Sequence, residues 1–152
     1  MKALTLEIKP KEGLGELKFG ESSEKLISML GEAEEMEDIE DEDEFNTVIL
    51  NYWDKGISAF FEGKENSVLS CFEVDNPETI LFGQKVFELS ENEIIKLMKE
   101  NGYSDIDTDV EENGEKRLSF EDGMIDFFFD DDSLLAVNWG VLVNDQGEIE
   151  HY

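Results

Sequence analysis

The chain has 152 residues, the length of one domain. Forty acids against twelve bases leave a formal net charge of -28, so no basic patch exists to release counterions from a phosphate backbone or to hold an anionic membrane surface. Direct nucleic-acid binding and membrane attachment are argued against, while eleven Phe, three Tyr and two Trp separate the chain from disordered acidic proteins.

In chain order, "ALTLEI" (3–8) alternates and predicts a strand. "SSEKLISMLG" (22–31) predicts a short helix, with Ser22 as the N-cap accepting from a free N–H of the first turn and Gly31 ending it. The acidic run "EEMEDIEDEDEFN" (34–46) follows; from Glu34 to Glu44 only Met36 and Ile39 are not acidic. A charge block of this kind is expected as a solvated loop whose acids Glu37, Asp38, Glu40, Asp41, Asp43 and Glu44 attract and steer a basic partner. "TVILNYW", "GISAFFE" and "SVLSCFEV" predict three strands with tight polar connections.

"SENEIIKLMKENG" predicts a second helix, in which Ser90 and Glu93 form a capping box. A second acidic connection, "YSDIDTDVEENGE", precedes three more strands within "KRLSFEDGMIDFFFDDDSLLAVNWGVLV". Shifting the first half by 68 places Ser22 on Ser90, Leu50 on Leu118, Tyr52 on Phe120 and Phe60–Phe61 on Phe128–Phe129. The expected organisation is a single domain, 1–152, with internal repeats at approximately 17–76 and 85–143. The expected class is α+β: two tandem helix-plus-antiparallel-meander repeats, with the helices packed on one face of the sheet.

"GESSEKLISMLGEA" (20–33) resembles the helix opening of the beta-lactamase-inhibitory-protein-like and BamE-like (SmpA/OmlA) group, through Gly20, Ser22, Leu26, Met29, Leu30 and Gly31. Glu21 and Ala33 depart from the Met and Pro usual there. The resemblance covers about a tenth of the chain. It implies a sheet whose open face can bind a protein, and it transfers no functional residue.

Catalytic chemistry finds little material. His151 is the one histidine and lies beside the C-terminus, and no P-loop, dinucleotide fingerprint or HExxH occurs. Cys71 is the one cysteine, so no intrachain disulfide forms; its apolar run predicts a buried, inert thiol. "DIDTDVEENGEK" starts like a calcium loop with Asp105, Asp107 and Asp109, but Val110 occupies the glycine position and Lys116 the bidentate position. No cofactor, metal or catalytic residue is expected. The N-terminus lacks an apolar leader core, and a cytoplasmic location is expected.

Successive strand side chains point to opposite faces. With Leu50, Tyr52, Ile57, Phe61, Leu118, Phe120, Ile125 and Phe129 on the core side, Asn51, Trp53, Ser58, Phe60, Asp126, Phe128 and Asn138 fall on the other. Aromatics among polar residues on an open sheet are typical of binding hot spots. The composite expectation is a non-enzymatic, acidic, cytosolic protein-binding domain: an immunity or inhibitor protein for a basic toxin or enzyme, docking through Trp53, Phe60, Asp126 and Phe128. Two alternatives are a DNA mimic that occupies a nucleic-acid-binding protein and a weak divalent-cation binder.

Overall fold

The computed structural model describes residues 5–40, 46–63, 67–112, 114–131, 133–143 and 149–150. In chain order the elements are β1 (Glu7–Lys9), β2 (Gly13–Leu14), β3 (Leu17–Lys18), α1 (Ser23–Leu30), β4 (Glu35–Glu40), β5 (Asn46–Tyr52), β6 (Ile57–Gly63), β7 (Val68–Val74), β8 (Ile80–Leu81) and β9 (Gln84–Lys85). Then follow α2 (Glu91–Glu100), β10 (Ile106–Val110), β11 (Glu115–Phe120), β12 (Ile125–Asp130), β13 (Ser133–Gly140), β14 (Leu142–Val143) and β15 (Ile149–Glu150). Single 3-10 turns lie at Trp53–Lys55 and Val86–Glu88.

An eight-stranded antiparallel sheet in the order β10-β11-β12-β13-β7-β6-β5-β4 dominates the molecule. A smaller sheet, β3-β2-β1-β8-β9, is antiparallel except at β1 and β8, which run parallel. The strands β14 and β15 form a separate antiparallel pair.

The α+β architecture of two helix-plus-meander repeats with helices over the sheet is overturned: the described residues are 50% strand and 19% helix. Much of the cover on the large sheet comes from the small sheet instead. The Trp139 indole N–H donates to the Gly13 carbonyl at 2.8 Å, and Phe19 meets Phe72 with ring centroids 5.9 Å apart. Ile8, Leu14, Leu17 and Leu81 from the small sheet join one buried cluster with Phe61, Phe72, Phe127 and Trp139. The strands β2, β3, β8 and β9, two residues each, are too short to show a period, and the alternation in "ALTLEI" reaches only Glu7 and Ile8 of β1.

The two α-helices among the described residues contribute narrow apolar stripes, Leu26 from α1 and Ile94 and Met98 from α2. Ser90 closes a full capping box on α2: its hydroxyl accepts from the Glu93 N–H at 3.2 Å, and the Glu93 carboxylate accepts from the Ser90 N–H at 3.1 Å. Ser22 caps α1 in extended conformation but its side chain accepts no capping bond, contrary to expectation. The end of α1 is fixed instead at its C-terminus, where the Tyr52 hydroxyl donates to the Gly31 carbonyl at 2.8 Å.

Both acidic connections also differ from expectation. Residues 35–40 form β4 and 106–110 form β10, the two edge strands of the large sheet. The 68-residue offset persists in one hairpin of each half. Leu50 faces Ala59, Asn51 faces Ser58 and Tyr52 faces Ile57, just as Leu118 faces Phe127, Ser119 faces Asp126 and Phe120 faces Ile125. Between β5 and β6, Gly56 adopts φ 65°, and a Cβ there would stand 2.5 Å from an Asp75 carboxylate oxygen. A side chain at this turn would therefore be both strained and crowded.

Candidate functional site

The side of the large sheet away from the small sheet presents an ordered polar row. Register alone builds it: Asp107–Ser119–Asp126–Asn138–Glu73–Ser58–Asn51–Glu35, one residue from each strand, each directly facing the next. Eight strands at about 4.8 Å spacing make this face roughly 33 Å wide. All the core-side residues named from the sequence are buried, from Leu50 and Tyr52 through Phe129.

Within the row, the Ser58 hydroxyl donates to Asn51 Oδ1 at 2.7 Å, and Asn51 Nδ2 donates to Glu37 Oε2 at 3.0 Å. Asn51 and Ser58 are buried, so these bonds supply the partners that desolvated polar groups require. Asn138 Oδ1 accepts from the Cys71 thiol at 3.2 Å. Cys71 therefore lies half-buried on this outer face, where a core thiol was expected. Its thiol is pushed up to about 12, first by desolvation, then by the Glu62, Glu73 and Asp126 carboxylates, while the Asn138 bond opposes them. A thiol so protonated is a poor nucleophile.

Aromatic groups flank the polar row on opposite sides. Phe60 faces Ile49 and Cys71; Phe128 faces Ala136 and Arg117. Both rings are partly buried, with part of each surface left open to solvent. Each stands where the pairing register shifts, at Phe60/Phe61 and at Phe128/Phe129, so that Ser70 on β7 and Leu135 on β13 are extra residues. A bulge bends its strand and re-aims the neighbouring side chains. From strand spacing and rise, the two rings are roughly 20 Å apart across the face.

Trp53, 59% exposed, stands on the 3-10 turn beside a cleft of about 80 Å³ lined also by Ser58, Glu73, Asp75 and Ala136. Phe128 borders an open depression of about 560 Å³ with Glu111, Glu112, Glu115, Lys116 and Arg117. Arg117 reaches Asp109 at 3.6 Å, and its Nε is buried without a hydrogen-bond partner among the described residues.

Of the predicted partner-binding residues, Phe60, Phe128, Asp126 and Glu37 share the outer face, Trp53 lies at its border, and Asp38 projects from the other side of the sheet. Asp126 sits in the polar row, Phe60 and Phe128 flank it, and Trp53 marks one border. Glu37 and Asp38 lie on the exposed edge strand β4, which Glu40 ends. Asp41, Asp43 and Glu44 lie outside the described residues. Glu73, Cys71 and Arg117 belong to the same face and were missed; the alternation of β7 and β11 carried the signal for them. Among the described residues no group of three or more His, Cys, Asp or Glu side chains is placed to hold a metal ion. No helix among them is long and apolar enough to cross a membrane. Compared with known proteins, the chain matches no family model, no curated protein and no solved structure.

Proposed function

We propose that this chain is a non-enzymatic, cytosolic protein-binding domain whose partner is a basic protein, in the manner of an immunity or inhibitor protein acting on a basic toxin or enzyme. The observation that supports it is the pair Phe60 and Phe128, each set at a β-bulge on a half-exposed sheet face bordered by acids. Carboxylates such as Glu73, Asp126, Glu37 and Asp38 raise the encounter rate of a cationic partner, and the aromatic groups supply the apolar contact that holds it. A DNA mimic needs carboxylates along the whole face; Ile49, Phe60, Ala136 and Phe128 on this one favour a protein partner.

The test is affinity capture from the native cell at low and at high salt, with wild-type protein and a Phe60→Ala/Phe128→Ala variant of unchanged circular dichroism. The expected result is a basic protein retained at low salt, weakened as salt screens the exposed charges, and lost with the double variant. Recovery of nothing basic at low salt, or equal recovery by the double variant, would overturn the reading.

A further inference from the structure

The edge strand β4 carries an inference that rests on the reading above and gives its partner a chemistry. Among the described residues, Glu35–Glu40 pair with β5 on one side only, in unbroken register from Glu35↔Asn51 to Glu40↔Asn46. Among the described residues no strand pairs with the other side of β4, whose backbone N–H and C=O groups are a template for another strand. Of the usual protections the segment "EMEDIE" carries charge alone, all of it acidic and including Asp38 on the core side; it contains no lysine and no proline, and its pairing contains no bulge.

Two apolar side chains project from this strand, Met36 at 66% and Ile39 at 53% exposure. Met36 faces Leu50 and so stands on the core side of the sheet, and Ile39 faces Thr47 on the outer side. Each face of β4 thus joins an uncovered apolar group to carboxylates: Asp38 with Met36, Glu35 and Glu37 with Ile39. None of Glu35, Glu37 and Asp38 has an ion-pair partner among the described residues.

A second copy of this chain is a poor occupant, because like charges directly opposite in a strand pair repel. The opposite edge, β10, is shorter and less acidic, and its Asp109 is already engaged by Arg117 at 3.6 Å.

We propose that β4 binds an extended basic segment of the partner by strand addition, with lysine or arginine side chains set against Glu35, Glu37 and Asp38 and apolar side chains against Met36 and Ile39. Main-chain hydrogen bonds supply affinity, and alternate side chains supply specificity.

The test uses the full chain and a capped peptide of alternating lysine and valine, followed by hydrogen exchange resolved to single amides. The control is the same peptide N-methylated at alternate residues, which keeps the charge and removes one hydrogen-bonding edge. Expected are slowed exchange in residues 35–40 and an affinity for the unmethylated peptide about tenfold or more above that of the control, from the loss of several hydrogen bonds worth about 1 kcal/mol each. Asp38→Lys should weaken the unmethylated peptide. Equal binding of both peptides, or protection only elsewhere, overturns strand addition while leaving electrostatic attraction standing. Binding of neither peptide overturns strand addition too. The docking face is judged separately by the Phe60→Ala/Phe128→Ala capture, in which β4 is unaltered.

Discussion

Replacing Trp139 by Phe tests how the two sheets are joined. Trp139 is fully buried on β13, and its indole N–H donates to the Gly13 carbonyl of β2 at 2.8 Å. Its ring lies 5.5 Å from that of Phe72, which in turn meets Phe19 beyond β3. Phenylalanine keeps the aromatic contact but removes the donor, and a buried carbonyl deprived of its donor costs roughly 1–3 kcal/mol. The lost ring volume leaves a void that adds roughly 1 kcal/mol. Together the substitution should destabilise by about 2–4 kcal/mol, lowering Tm by roughly 5–15 °C for a chain of this size. Urea unfolding followed by far-UV circular dichroism measures it, with m compared between the proteins to confirm that only stability has changed. Trp53 is 59% exposed, so the variant should also lose the blue-shifted part of the tryptophan emission. A loss below about 0.5 kcal/mol, the scale of surface substitutions, would refute the indole as a tie between the sheets.

Cys71 should be alkylated by iodoacetamide at pH 8 about a thousandfold more slowly in the folded protein than in urea, because a pKa of about 12 against an ordinary 9.0 leaves that much less thiolate; rates within tenfold of each other would contradict it. Ser90→Ala should lower stability by about 1 kcal/mol through loss of the α2 cap, read by denaturant titration. The Glu93 carboxyl is held below its ordinary 4.5 by the Ser90 backbone N–H first and its side chain second, so its contribution is present above that value and is lost as pH falls through the folded one. The stability difference between wild type and Glu93→Gln should therefore shrink on acidification, and a difference that grows would reverse the assignment. Gly140→Ala places a Cβ 2.5 Å from the Ser70 carbonyl oxygen at the β7–β13 seam, and should cost about 1–3 kcal/mol by thermal unfolding.

The features legible in the sequence were those set by neighbours in the chain. The Ser90–Glu93 capping box needs only a spacing of three, and the buried set Leu50, Tyr52, Ile57 and Phe61 needs only a period of two. The same alternation placed Asn51, Ser58, Phe60, Asp126 and Phe128 on the other face. The edge strands were not legible, because acids are poor strand formers in isolation. It is pairing with β5 and β11 that makes strands of "EMEDIE" and "IDTDV". "ALTLEI" announced a strand that overlaps β1, but the pairing of the small sheet was hidden: β1 meets β8 by pairing Glu7 with Ile80 and Ile8 with Leu81, far apart in the chain, and neither strand exceeds three residues. Reading a charge block as a loop fails where a sheet has an edge, since an edge strand needs to bury little.

The placement of acid at both edges has a physical logic that a lysine would not reproduce here. A lone lysine on an edge of this chain would be surrounded by carboxylates and neutralised by them, as Arg117 is partly neutralised by Asp109 beside β10. An acid at the same position adds to a net charge of -28 and so repels another copy more strongly. Such protection would be selective by sign, opposing a second copy while leaving the edge open to the cationic strand proposed above. Glu37 connects this edge to the outer face, because it faces Ile49, Ile49 faces Phe60, and Phe60 faces Cys71 in one row. A basic segment added at β4 would then lie beside the Phe60 end of that face, so the edge and the aromatic surface can engage one partner together while Phe128, on the far side of the polar row, meets a separate part of it.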